Sequence, residues 1–140
     1  MRSAAALLAI ASLVVSNAYA DDTKAKKATG CFATAETQYA MDVCAGQDFK
    51  KADDALNTLY KQMLPRYEAA DQALIKDAER KWLAYRDAEC AFDSNSTIGG
   101  SFHPTAETMC RTEKTEARVK ELKTQLDCPE GDLGCNRPSK

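Results

Sequence analysis

Apolar residues recur at every third or fourth position through most of this chain, which is the period of an amphipathic α-helix. The first such segment has a narrow apolar stripe, which needs partner helices to cover it. It predicts a first helix over residues 34–64, with Thr34 as its N-cap and an end at Pro65, because proline lacks the backbone N–H that an interior hydrogen bond needs. The stripe consists of Met41, Ala45, Phe49, Ala52, Leu56, Leu59 and Met63.

Two further segments repeat this helical period. The second predicts a helix over residues 71–92, with Asp71 as its N-cap and a stripe of Ile75, Ala78, Trp82, Tyr85 and Phe92. The third starts at Pro104, a residue favoured in the first turn of a helix, and carries Met109, Thr112, Val119, Leu122 and Leu126. No segment shows the alternation of β-branched and polar residues that is typical of strands. We therefore predict an all-α fold, a disulfide-clamped bundle of three long helices.

The first twenty residues have the pattern of an export signal. Arg2 precedes an apolar run over residues 4–15, and Ala18-Tyr19-Ala20 forms a small-x-small cleavage site before Asp21. This run is too short to span a bilayer, for which about 20 residues are needed. We expect residues 1–20 to be removed as a signal peptide and residues 21–30, which lack periodicity, to form a flexible leader. The product should be soluble, with no transmembrane segment.

All six cysteines follow this signal, an even number in a compartment where thiols pair. Spacing alone leaves several connectivities open. We predict that sequence neighbours pair, since each bond would clamp a loop or a helix end: Cys31 with Cys44, Cys90 with Cys110, and Cys128 with Cys135. The prediction is a helical domain over residues 31–127 and a tail, 128–140, with a small disulfide loop.

The charge balance argues against nucleic acid as a partner. The chain has 19 basic and 21 acidic residues, so loss of Arg2 with the signal leaves 18 basic residues and a net charge of −3. This charge is too small and too mixed to bind a phosphate backbone. The chain also has no C-x-x-C motif and a single histidine, His103, which argues against a zinc site. We expect no metal and no cofactor.

The predicted second helix combines the only tryptophan with many charged residues. Its carboxylates could supply a general acid and a base. The basic residues Arg80 and Arg86, beside or behind the aromatic face, alternate with them as expected of ion pairs between helices, and carboxylates on one helix do not form a cleft alone. We therefore predict no catalytic residue and no enzymatic activity, and we assign four large residues to the structural core: Leu56, Tyr60, Trp82 and Tyr85.

Residues 93–103 lose the helical period and are rich in glycine, serine and asparagine, which predicts a loop. A disulfide between the flanking cysteines would hold this loop at both ends and lower the cost of ordering it against a partner. Either Ile98 and Phe102 contact that partner, or they fold back over the end of the bundle. We expect Phe102 to fold back and leave both interpretations open for Ile98. The candidate contact residues are Ile98, Gly99, Gly100, Phe102 and His103.

Several motifs at characteristic spacings resemble those of a known family. They are Cys31, Thr37-Gln38-x-x-Met41-x-x-Cys44-Ala45, Ala52-Asp53-x-x-Leu56-Asn57-x-x-Tyr60, Glu79-Arg80-x-Trp82-x-x-Tyr85-Arg86-Asp87-Ala88-x-Cys90, Gly99-Gly100 and Cys110. Over residues 31–126 the chain is similar to the LprI-like family of exported bacterial proteins, which is named for a lysozyme inhibitor. Asp42 stands where that family usually has asparagine, and the tail beyond Cys128 lies outside the motifs.

This resemblance implies a cysteine-clamped helical domain in the cell envelope or outside it, either periplasmic or secreted. It implies lysozyme inhibition as the activity of one branch, and hence a lysozyme or another envelope protein as the partner. Animal lysozymes are basic, so a mildly acidic protein is steered toward them, although a charge of −3 has a small effect at physiological salt. The alternative is a periplasmic protein–protein interaction module without lysozyme activity. The oligomeric state is left open.

Overall fold

Three long helices form the fold. The computed structural model describes residues 30–136 and residue 138, and the helices are α1, Gln38–Met63; α2, Ala69–Asp93; and α3, His103–Leu126. Short 3₁₀ turns precede each of them: Gly30–Ala33, Leu64–Arg66 and Asn95–Thr97. The described residues contain no strand. The prediction of an all-α bundle of three long helices is therefore confirmed.

The predicted signal peptide, residues 1–20, and residues 21–29 of the predicted leader lie outside the described residues. In the part that is described, none of the three helices carries an apolar stretch long enough to cross a membrane.

The first turns of two helices differ from the prediction. Thr37, and not Thr34, caps α1, because its Oγ1 accepts a hydrogen bond of 3.1 Å from the backbone N–H of Ala40. The N-cap position of α2 is Glu68, so the prediction that Asp71 caps this helix is wrong. Asp71 instead lies in the first turn, where a negative charge is favourable at the positive end of the helix dipole.

The apolar core lies between the three helices and the turn that follows α1. Its buried residues come from α1, from that turn and from α3: Leu56, Leu59, Met63, Tyr67 and Leu122. Four partly buried residues pack against them: Ile75, Trp82, Val119 and Leu126. The predicted core residue Leu56 is thus buried, while Tyr60 and Trp82 are half-buried and only Trp82 is among the residues packed against the core.

Small residues allow α1 and α3 to pack closely. Ala45 and Ala52 are buried on α1, and Thr105 and Thr115 are completely buried on α3. At the N-terminal ends of both helices, Oδ1 of Asp42 accepts hydrogen bonds from the Thr105 hydroxyl and the Gln38 amide. Both bonds go to a single side-chain oxygen, which an asparagine at this position would also supply.

The buried face of α2 differs from the predicted aromatic face. Its buried residues are Glu79, Arg86 and Cys90, whereas Tyr85 is 54% exposed and Phe92 is 78% exposed. The assignment of Tyr85 to the core is therefore wrong, as is the placement of Arg86 behind the packed face. The spacing of apolar residues did not predict this buried face, because two of its three buried residues, Glu79 and Arg86, are charged.

All six cysteines form disulfides. The three bonds are Cys31–Cys44, Cys90–Cys110 and Cys128–Cys135, with Cα–Cα distances of 5.5, 5.6 and 6.0 Å, as predicted. The first joins the turn before α1 to α1 itself, the second joins the end of α2 to α3, and the third closes a short loop in the tail. The second bond crosses between helices and therefore constrains the bundle most.

We expect the purified, oxidised domain to show no reactive thiol when titrated under denaturing conditions. Replacing Cys90 and Cys110 together with alanine should lower the free energy of unfolding by about 3 kcal/mol, because the unfolded chain is then no longer closed into a loop. Urea unfolding measures this loss. Alanine at both Cys128 and Cys135, which close a shorter loop, is the matched control and should cost less. Two reactive thiols in the wild type, or a smaller loss at the 90–110 pair than at the control, would contradict this prediction.

Candidate functional site

The segment that connects α2 to α3, residues 94–102, is here named the α2–α3 loop. Its backbone is held by hydrogen bonds along its length. The buried Ser94 donates from Oγ to the Cys90 carbonyl at 2.8 Å, and Thr97 donates from Oγ1 to the Ser94 carbonyl at 2.6 Å. The backbone N–H of Gly100 donates to the Thr97 carbonyl at 3.0 Å. The loop is therefore ordered by its own contacts before any partner binds.

The two glycines of this loop adopt backbone conformations or close contacts that a larger residue would disfavour. Gly99 has a φ of +83°, in the left-handed region that side chains disfavour. A Cβ atom at Gly100 would lie 3.2 Å from the Thr97 carbonyl oxygen, which is too close for an ordinary contact. Both residues are exposed. They turn the chain tightly and leave the neighbouring Ile98 at the surface.

His103 is turned toward the base of the loop. Its Nδ1 lies 2.9 Å from Thr97 Oγ1 and 3.2 Å from the Ser94 carbonyl oxygen. Because the Thr97 hydroxyl gives its proton to that carbonyl, Nδ1 of the histidine is the donor in this group. The opposite nitrogen, Nε2, lies 3.9 Å from a carboxylate oxygen of Glu107. Among the five candidate contact residues, His103 thus holds the loop in place.

The apolar side chains of the loop face solvent. Ile98 is 65% exposed and Phe102 is 42% exposed. More than half of the Phe102 surface is covered, and the expectation that it folds back over the bundle end stays a prediction. Two exposed apolar side chains on one ordered loop offer a small apolar surface, and a partner that removed them from water would recover free energy.

Ion pairs along the α2–α3 seam hold the base of the loop. Lys114 on α3 lies 3.8 Å from Glu89 and 3.7 Å from Asp93 on α2. Arg111 lies 2.6 Å from Glu107 on its own helix and 3.5 Å from Asp87 on α2. The prediction of ion pairs between α2 and a neighbouring helix is confirmed for carboxylates of α2 whose partners are basic residues of α3. The α2 arginines named in that prediction pair within their own helix, Arg80 with Asp77 and Arg86 with Asp87.

A cluster of charged residues surrounds the half-buried Trp82, in which Glu79 and Arg86 are buried and Arg118 is half-buried. The guanidinium carbons of Arg86 and Arg118 lie 5.5 and 5.6 Å from the centre of its ring. Arg86 also lies 5.3 Å from the Phe49 ring, and Arg118 donates to Glu79 at 3.0 and 3.1 Å. The aromatic rings and the ion pair together accommodate charges that would be costly to bury alone.

The side chains near the loop do not form a nucleophile–base pair. Ser94 and His103 are neighbours, but the Ser94 hydroxyl donates to Cys90, and the histidine contacts the Ser94 carbonyl instead. Within residues 30–136, no group of three or more His, Cys, Asp or Glu residues is placed to hold a metal ion. The side chains of the α2–α3 loop are therefore suited to contact a partner.

The fold and this loop define a small, disulfide-clamped three-helix domain with an exposed apolar loop tip. The chain belongs to the family described as lysozyme inhibitor LprI, whose family model matches residues 31–122. This match confirms the resemblance inferred from the motifs. An uncharacterized protein of Rhizobium meliloti (strain 1021) is 31% identical over 109 residues, covering 69% of this chain and 78% of the relative. No solved structure matches the chain.

Proposed function

We propose that this protein is an exported lysozyme inhibitor that binds its target through the α2–α3 loop. Family membership supports the activity. The observation that carries the site is the combination of a hydrogen-bonded loop backbone with exposed apolar side chains at Ile98 and Phe102. A loop that is ordered before binding loses little conformational entropy when it enters a cleft, so more of its contact energy becomes affinity.

The polar residues around the loop tip suit a lysozyme cleft. Lysozymes cleave glycosidic bonds with a pair of carboxyl groups. Three exposed loop residues carry neutral hydrogen-bond donors that can reach carboxylates without adding charge: Asn95, Ser96 and Ser101. The apolar tip would displace water from the cleft while these donors pair with its polar groups. Inhibition would then follow from occupation of the substrate site.

Export is supported by two independent features. Residues 1–20 have the pattern of a cleaved signal. The described cysteines are all paired in disulfides, which form and persist in oxidising compartments. A periplasmic or secreted protein would meet a lysozyme outside the cytoplasm, where inhibition is useful.

We expect the purified, oxidised mature domain to inhibit at least one muramidase, of animal or bacterial origin, in a cell-wall lysis assay. Inhibition should be competitive with substrate, because the loop would occupy the substrate cleft. The reduced and alkylated protein, in which the loop is no longer clamped, is the control and should inhibit much less. Absence of inhibition toward animal and bacterial enzymes alike would reject the proposal and leave an envelope interaction module as the function.

A further inference from the structure

A polar groove lies between α1 and α2, away from the α2–α3 loop. In the described chain, no Cα atom of α1 comes within 8 Å of one of α2, and the space between the helices forms a groove of about 500 Å³. This volume lies in the range of small-molecule sites. Seven of its lining residues carry hydrogen-bonding side chains: Asp53, Asn57, Tyr60, Lys76, Glu79, Arg80 and Arg86.

Motif residues from two helices converge on this groove. The motif on α1 contributes Asp53, Asn57 and Tyr60, and the motif on α2 contributes Glu79 and Arg80. On α1 these positions are four and three residues apart and share one helix face, whereas on α2 Arg80 directly follows Glu79 and lies one turn after Lys76. The proposed inhibitory contact at the α2–α3 loop uses none of them.

Glu79 has an unused hydrogen-bonding position at this groove. The residue is only 7% exposed. Its Oε2 accepts from Nε and Nη2 of Arg118 at 3.1 and 3.0 Å, whereas its Oε1 is buried without a hydrogen-bond partner among the described residues. A buried acceptor without a donor is unfavourable, so turning this oxygen from its buried position toward a ligand donor in the groove would be favourable.

Tyr60 supplies a donor of its own beside this carboxylate. Partial burial, and next the negative charge of Glu79, raise the pKa of the Tyr60 phenol above its usual value. A tyrosine phenol is protonated at neutral pH even at its usual pKa, so Tyr60 can donate a hydrogen bond while its ring offers an apolar face.

The mixture of charges in the groove selects a neutral ligand. An ion of either sign would meet like charges in the groove, because Lys76, Arg80 and Arg86 are cationic and Asp53 and Glu79 are carboxylates. We propose that the groove binds a saccharide, whose hydroxyl groups both donate and accept hydrogen bonds. A peptide is disfavoured because the backbone groups of α1 and α2 are used within the helices, which leaves no strand edge for main-chain pairing.

Calorimetric titration of the oxidised domain with N-acetylglucosamine trimer and, separately, with maltotriose tests this proposal. Saturable binding of at least one of them is expected, with backbone amide NMR shifts concentrated around the groove. Asn57→Ala and Arg80→Ala change exposed groove residues, and each should weaken binding roughly fivefold to tenfold. Thr58→Ala, an exposed position on the α1 face toward α3, is the matched control and should leave binding unchanged.

Lack of binding by both sugars would overturn the proposal, as would binding that neither groove variant weakens. Trialanine is titrated as a third probe, and preferential binding of this peptide at the same residues would also overturn it. The groove and the inhibitory loop are tested separately, because groove variants should retain full lysozyme inhibition. A domain that inhibits lysozyme without binding sugar would reject only the groove, and one that binds sugar without inhibiting would reject only the loop.

Discussion

Replacement of Trp82 with alanine should lower the free energy of unfolding by about 3–5 kcal/mol, as for other large aromatic residues that pack against a core. Its ring packs against the apolar core and lies between the guanidinium groups of Arg86 and Arg118. Removing the ring would leave a cavity. The guanidinium groups of Arg86 and Arg118 would also lose the aromatic face that they contact. Urea unfolding followed by far-ultraviolet circular dichroism measures the change.

Two variants on the same helix provide controls for Trp82. Trp82→Phe keeps an aromatic face for both guanidinium groups and should cost less than half as much as alanine. Tyr85→Ala removes a largely exposed ring and should cost under about 1 kcal/mol, as is usual at the surface. A loss at Trp82→Ala as small as the loss at Tyr85→Ala would show that Trp82 is not a packing residue, and we would then interpret it as a binding residue.

Replacement of Ile98 and Phe102 together with alanine should weaken lysozyme inhibition roughly 100-fold, as expected when two central contact side chains are lost. The melting temperature should stay nearly unchanged, because both side chains are exposed and the loop backbone keeps its hydrogen bonds. Inhibition constants from lysis assays, with thermal unfolding in parallel, separate the effect on binding from the effect on folding.

Phe92→Ala is the matched control for this loop variant. Phe92 is a more exposed phenylalanine at the end of α2, outside the loop, and its removal should leave inhibition intact. His103→Ala should act differently from both, because it loosens the loop base and so weakens inhibition together with stability. Unaltered inhibition by the Ile98 and Phe102 double variant would move the contact surface elsewhere, first to the acidic part of α1: Asp48, Asp53 and Asp54.

The candidate loop was predictable in position and only partly in structure. Loss of the helical period located it, and the neighbouring cysteines indicated its clamp. The inward orientation of His103 depends on Ser94 and Thr97, which approach its ring only after the chain has turned. The spacing of residues along the sequence does not indicate this approach, and the sequence therefore predicts His103 as a contact residue.

The charged face of α2 was not predictable from the sequence. Arg86 and Arg118 look like surface residues in a periodicity analysis, since charge is costly to bury without partners. Their partners lie far along the chain: Arg118 pairs with Glu79 over 39 positions, and Arg86 donates to Thr115 over 29 positions. The polar groove between α1 and α2 was missed for the same reason, because it exists only where two separate helices face each other.

The sequence by itself determined the three helices and the family, because these depend on residue types at characteristic spacings. The spacing of the cysteines left several connectivities open, and the structure confirmed the predicted pairing of neighbours. Only the tertiary structure decided which face of α2 is buried, which loop side chains reach solvent and where a groove opens. These features depend on the free energy of burying a charged or aromatic side chain. That free energy is determined by the neighbouring groups, which come from segments far away in the sequence.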